Sequence, residues 1–257
     1  MDITLDQLLS GKPTIIKGKE YLSTKNYVEP FLERMSKFTD DFRIQVKLPD
    51  QVTITKDNDI RLEDQTFNRV WVQAVLPDEM NYPNHKESVN LLYALDTRKP
   101  IVKLFKNSLN MACLNMTVFN PAAIEIQELT PETPINYKFV QNVMEMTDNT
   151  VTTLKRLADM TLSKEDVFDT LGRWVDNCIK EKYDNGYGKV KLSETLPIAV
   201  YKNLFIDDKS PYYCMDGESD FFNIYNAWTD LISNDKGKDI VNKFEKTYLV
   251  SKVLNIV

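Results

Sequence analysis

Beyond one N-terminal helix, apolar residues change their spacing once along this chain, and that change sets the fold class. From Phe42 to Phe105 they recur at every second position, the period of an extended strand. Arg69 to Leu76 (RVWVQAVL) puts Val70, Val72, Ala74 and Leu76 on one side and Trp71 and Val75 on the other, beside Arg69 and Gln73. With both faces largely covered, this segment reads as an interior strand. Phe42 to Leu48 alternates in the same way, Val52 and Ile54 share a face, and Lys56 to Asp59 reads as a turn. Strands follow over Val89 to Leu95 and Ile101 to Phe105, with turns at Asp96–Pro100 and Asn107–Ser108, then Leu109 to Phe119.

After Asn120–Pro121 the period becomes three and four. Val140, Val143, Met144, Val151, Leu154, Leu157 and Ala158 mark one helix. Ser163 followed by Asp166 is a capping signal for a second, carrying Val167, Leu171, Trp174, Val175 and Cys178. A short helix over Ser193 to Leu204 is interrupted by Pro197. Asp216 to Ser219 precedes a helix with Phe221, Ile224, Tyr225, Trp228, Leu231 and Ile232 on one face, and a last one starts at Lys236. Near the N-terminus, Asn26 as a cap and Pro30 in the first turn open a helix whose stripe is Phe31, Leu32, Met35 and Phe38.

Strands first and helices second define an α+β fold, a mostly antiparallel N-terminal sheet covered by a helical C-terminal half. The expected organisation is a single domain over 1–257, β-rich over 40–120 and helical over 135–257. The loop Thr130–Pro134 marks a subdomain break near 130.

Composition narrows the chemistry. Among 257 residues there are three cysteines, Cys113, Cys178 and Cys214, in no Cys-x-x-Cys pair, and His85 is the single histidine. A zinc centre needs about four clustered ligands, so no metal and no cofactor is expected. His85 falls in the polar loop Pro77–His85 with no nucleophile signature and reads as an exposed loop side chain. No glycine-rich phosphate loop is present, and Gly186–Tyr187–Gly188 follows a helix instead of opening one. Carboxylates at Asp57/Asp59, Asp207/Asp208 and Asp216/Glu218/Asp220 read as turns and helix caps, with metal-dependent hydrolysis or nuclease chemistry the weaker option. No catalytic residue is assigned, and the chain reads as a binder before an enzyme. The N-terminus has no signal-peptide pattern and no apolar run has membrane-spanning length, so a cytoplasmic protein, in a host cytoplasm if phage-encoded, is expected.

The charge balance has one local exception. The chain carries net −6, yet from Thr97 to Ile124 it has no acid and four cations, Arg98, Lys99, Lys103 and Lys106. Alternation places Lys103 and Phe105 on one side of the strand. Lysine for phosphate and an aromatic ring for base stacking are the parts of a single-strand nucleic-acid platform.

The segments around this patch resemble the phage/plasmid-like family of prophage, plasmid and phage proteins, a family without an assigned reaction. Leu91 to Thr97 takes the place of the family's turn, of whose His-Asp-Gly only Asp96 matches. Leu109 to Asn115 is similar to its Cys-x-Asn segment, and Tyr225-Asn226-Ala227-Trp228-Thr229 to its Tyr-Asn-Ala-x-Thr, over roughly residues 65–257. The resemblance implies a phage or mobile-element origin. Asp96, Asn115, Asn226 and Thr229 then become candidates for a polar groove, Asn226 and Thr229 being i, i+3 neighbours on a helix.

Two functions follow as expectations. The first is an accessory protein that binds single-stranded DNA in replication or recombination through Arg98, Lys99, Lys103, Phe105 and Lys106. The alternative is a protein-interaction module that binds a host or phage protein, as a defence inhibitor or virion-associated protein does; the acidic balance and the missing catalytic constellation favour it.

Overall fold

The computed structural model describes residues 5–47 except 17, then 67–79, 85–95, 100–110, 116–117, 124–132, 150–184, 189–234 and 240–256, with isolated positions between 135 and 141. The elements in chain order are α1 (Leu5–Leu9), β1 (Thr14–Ile16), β2 (Lys19–Tyr21), α2 (Thr24–Met35), β3 (Phe42–Lys47), β4 (Arg69–Glu79), β5 (His85–Ala94), β6 (Ile101–Asn110), β7 (Met116–Thr117) and β8 (Ile124–Glu128). Then follow α3 (Thr150–Ala158), β9 (Thr161–Ser163), α4 (Lys164–Lys180), β10 (Tyr183–Asp184), β11 (Lys189–Val190), α5 (Leu196–Phe205), β12 (Glu218–Asp220), α6 (Phe221–Ser233) and α7 (Ile240–Val253). The fold is α+β.

The sheet is antiparallel throughout, in the order β3-β4-β5-β6. The far edge of β6 is shared: β8 pairs with Ile101 to Phe105 and β7 with Ser108 and Leu109. Register follows alternation. Val70 lies opposite Tyr93, Val72 opposite Leu91 and Leu91 opposite Leu104, and these residues form one continuous apolar face. That face is covered from the N-terminal side by α1 and α2, whose Leu8, Tyr27, Val28, Phe31 and Met35 are all fully buried. Tyr93 locks the contact, its ring 5.5 Å from that of Tyr27 and its hydroxyl donating to Thr24 Oγ1 at 2.9 Å.

The opposite face is covered by α7. Phe244 packs edge-on against Trp71, ring centroids 6.3 Å apart, and tilted over Phe105 at 4.6 Å. Other residues of the same helix, Leu249, Val250 and Val253, belong to a second apolar cluster that α3 to α7 form around α6. There Trp228 is fully buried, 6.1 Å from Trp174. α7 therefore joins the sheet to the helical cluster, and the C-terminal half covers one face of the sheet instead of both.

Several local expectations shift. Asn107 and Ser108 do not turn; β6 runs through them to Asn110, held by pairing with β5 on one side and β7 on the other. The loop expected from Pro77 is shorter, since β4 continues to Glu79 and β5 begins at His85. The N-cap of α2 is Ser23, and Pro30 sits inside the helix, where the burial of Phe31 and Leu32 offsets its missing N–H. Phe38 lies beyond the helix end and is half exposed, under the Arg34 guanidinium at 5.7 Å. Pro197 opens α5 instead of breaking it, a position where the lost N–H would have no helical partner. Ser163 and Asp166 form the expected capping box. The same Ser163 ends β9, which pairs with β12 just before α6 and aligns the starts of the two helices. The turns at Lys56–Asp59 and Asp96–Pro100 fall largely outside the described residues.

Candidate functional site

The residues expected to contact nucleic acid are placed by the sheet's alternation. Leu92 lies opposite both Trp71 and Lys103, Asn90 opposite Gln73 and Phe105, and Ser88 opposite Asn107, all on the face that α7 covers. Lys103 is 1% exposed and its ammonium is ion-paired with Glu245 of α7, 5.1 Å from the Phe244 ring centroid. Phe105 is fully buried between Trp71 and Phe244. A ring without exposed surface cannot stack on a base, and an ammonium without it cannot reach a phosphate. These two residues are interior packing, which corrects the expected platform. Lys106 remains partly accessible but is paired with Glu87 at 3.3 Å. Arg98 and Lys99 lie outside the described residues.

The expected polar groove also changes. Asn226 is 6% exposed and Thr229 fully buried, with the Thr229 hydroxyl donating to the Asn226 carbonyl at 3.1 Å. Neither forms an exposed helix face. α6 carries a single charge, Asp230, in thirteen residues, the signature of a helix buried all round. Asp96 and Asn115 lie outside the described residues. His85 is not an exposed loop residue: it opens β5, is 2% exposed, and sets its ring 5.2 Å from that of Phe222.

Under α7 the sheet carries a polar seam. Asn90 Oδ1 accepts the Trp71 indole N–H at 3.0 Å, while its Nδ2 donates to Asn107 Oδ1 at 2.9 Å. Ser88 donates to the same Asn107 oxygen and accepts from Gln73 Nε2 at 3.1 Å. Five side chains on three adjacent strands are thereby held in one arrangement, which an apolar core would not specify. At the β3 end the seam opens into a cavity of about 160 Å³ floored by Trp71 and Gln73.

A second feature lies on the helical side. Phe168, Gly172, Val175 and Ile179 are spaced four, three and four apart, which places them along one face of α4. Phe168 is 59% and Ile179 52% exposed. The Phe168 ring meets Tyr201 of α5 edge-on at 5.8 Å, and Ile198, one turn before Tyr201, is 56% exposed. A Cβ built on Gly172 would meet nothing within 4 Å, leaving a notch between the flanking side chains. Glu165, Asp169 and Asp176 are exposed along one edge of this stripe, Asp176 paired with Lys180 at 2.5 Å. The stripe lies beside the buried one of Val167, Trp174 and Cys178, and the apolar positions left over from that buried face were its sequence signal.

The chain offers little reactive chemistry where it is described. Burial, with a smaller contribution from the Glu194 charge, pushes the Cys178 thiol up to about 12, so it stays protonated and inert. Among the described residues no group of three or more His, Cys, Asp or Glu side chains could hold a metal ion, and no helix is long and apolar enough to cross a membrane. No family model, curated protein or solved structure matches the chain.

Proposed function

We propose that this chain is a docking protein whose α4 face receives a partner protein, the accessory role that its resemblance to phage and plasmid proteins suggests. The exposed Phe168 and Ile179, with the half-buried Val175 between them and the exposed Ile198 on α5, carry the reading. Apolar side chains gathered on one helix face and rimmed by charge mark interaction sites more often than scattered ones do. The rim also specifies the occupant. Glu165 and Asp169 put negative charge along one edge, so the partner presents an apolar ridge flanked by Lys or Arg, with one side chain seated at Gly172. Single-stranded DNA is the weaker reading, because the Lys103–Phe105 pair that motivated it is buried.

The test is site-directed photo-crosslinking in an extract of the natural source, with a photoreactive residue in place of the exposed Ile198 of α5, which leaves the Gly172 notch open, and a control in place of the exposed Glu33 of α2. A discrete heterologous adduct is expected at 198 and not at 33. It should weaken with ionic strength and disappear in the Phe168→Lys, Ile179→Lys double variant. Equal labelling at the two positions would overturn the proposal. A chain-to-chain adduct would show a second copy as the occupant and overturn the heterologous assignment.

A further inference from the structure

The cavity at the β3 end of the seam is built differently from the α4 face. Pairing of β3 with β4 sets Arg43 opposite Gln73 and Gln45 opposite Trp71, so all four side chains lie on the same sheet face. The facing wall is α7, where Lys243 and Thr247 are one turn apart. Trp71, Gln73 and Thr247 are 4%, 8% and 3% exposed and form the closed end of the cavity. Arg43 and Lys243 are half-buried on opposite walls, and no carboxylate is among the lining residues described.

The two cations are oriented, not loose. The Lys243 ammonium donates to the Ser233 carbonyl at the end of α6, at 2.6 Å, leaving two N–H donors. Arg43 has Asp41 at 3.6 Å from its Nε, on the side chain's inner nitrogen, which leaves the terminal guanidinium nitrogens for another acceptor. With Asp41 counted, the described charged residues at the mouth, Arg43 and Lys243 against Asp41, sum to a positive charge in a chain that is acidic overall. Capping of α6 explains Lys243 alone. It does not explain an arginine placed across the same cavity, or buried amide and hydroxyl groups at its end. At about 160 Å³ the space suits a group of a few heavy atoms, near the size of a benzene-filled cavity.

We infer that this cavity is a binding site for a small phosphate-type oxyanion, clamped between the Arg43 guanidinium and the Lys243 ammonium, with the Thr247 hydroxyl and a glutamine amide completing its hydrogen bonds. Arginine matches the oxygens in pairs and lysine supplies a point charge, the combination that phosphate sites use. The site is independent of the α4 face.

Trp71 in the cavity floor provides the readout. Titration with inorganic phosphate at constant ionic strength should give a saturable change in tryptophan emission that is lost in Trp71→Phe. Calorimetry should show that Trp71→Phe still binds. Arg43→Gln and Lys243→Met should each weaken binding by about tenfold or more, the effect of one lost charge-assisted bond. Lys202→Gln on the exposed side of α5 should leave it unchanged. A 5′-phosphorylated oligonucleotide binding with the same dependence on Arg43 and Lys243 would place the phosphate on a nucleic-acid end, and phosphate binding without it would indicate a free ion. Either result upholds the site. No saturable signal, a signal that survives both charge removals, or saturation by acetate where phosphate fails would overturn it.

Discussion

Lys103 and Glu245 stand 142 positions apart in sequence and form an ion pair with 2% and 0% of their side chains exposed. One belongs to the central strand β6 and the other to α7, so the pair is a polar tie between the sheet and the helical cluster. Removing one partner leaves a desolvated charge, which costs about 3–5 kcal/mol, whereas replacing both by apolar groups of similar volume is often neutral. Glu245→Gln and Lys103→Met should each lower the urea midpoint sharply, and Lys103→Met with Glu245→Leu should recover most of the loss. Additive single and double effects in such a cycle would show that the pair does not act as a unit.

This pair shows where a sequence stops being readable. The alternation of β4 correctly separates Val70, Val72 and Ala74 from Trp71 and Gln73, because a period of two is a local property. The exposure of the second face is not local. Lys103 beside Phe105 looks like a solvated cationic strand until α7 lies across it, and nothing within 100 residues announces that helix's Phe244 and Glu245. His85 and Asn226 fail for the same reason: polar residues are mostly exposed, and tertiary contacts decide the exceptions. The α4 face was half legible, since Phe168 and Ile179 are the apolar residues left outside the buried stripe.

Asn90 is the hub of the seam, accepting from Trp71 and donating to Asn107. Asn90→Leu fills a similar volume but removes both bonds, leaving the Trp71 N–H buried without an acceptor while Asn107 Oδ1 keeps only the Ser88 hydroxyl. At about 1–3 kcal/mol per buried group left unsatisfied, a large loss of stability is expected, with a shift in Trp71 emission as the indole loses its acceptor. Asn90→Asp keeps an acceptor for Trp71 yet loses the donor to Asn107, and should restore the emission without restoring the stability.

Gly172 sits in the middle of the seventeen-residue α4, without a left-handed backbone and with open space where a side chain would project. A helix-interior glycine costs roughly 0.5–1 kcal/mol relative to alanine. Gly172→Ala should therefore raise the unfolding midpoint measurably. Gly172→Arg should fold as well as the parent, since its side chain meets only solvent, yet block the notch. A drop in stability with alanine would mean the helix face is already covered.

Alkaline pH should destabilise the protein through its buried acids. Burial raises Cys178 from an ordinary 9.0 to about 12 and Tyr27 from 10.0 to about 12, and pushes Tyr93 higher still. Each group holds its proton more tightly folded than unfolded, so its favourable contribution is complete below the unfolded value and falls as pH rises past it. Stability should be flat in this respect up to about pH 8, then decline between about 9 and 12, with the thiol acting before the phenols. The slope of stability against pH is steepest where the unfolded chain has released protons that the folded chain retains. Thiol labelling reports the same difference at lower pH. With Cys113 replaced by Ser, a disulfide reagent at pH 8 should modify the half-buried Cys214 in the native protein and reach the buried Cys178 only on unfolding. Rapid labelling of two thiols in the native state would show that the α4 core opens locally, and the alkaline decline would then start below pH 9.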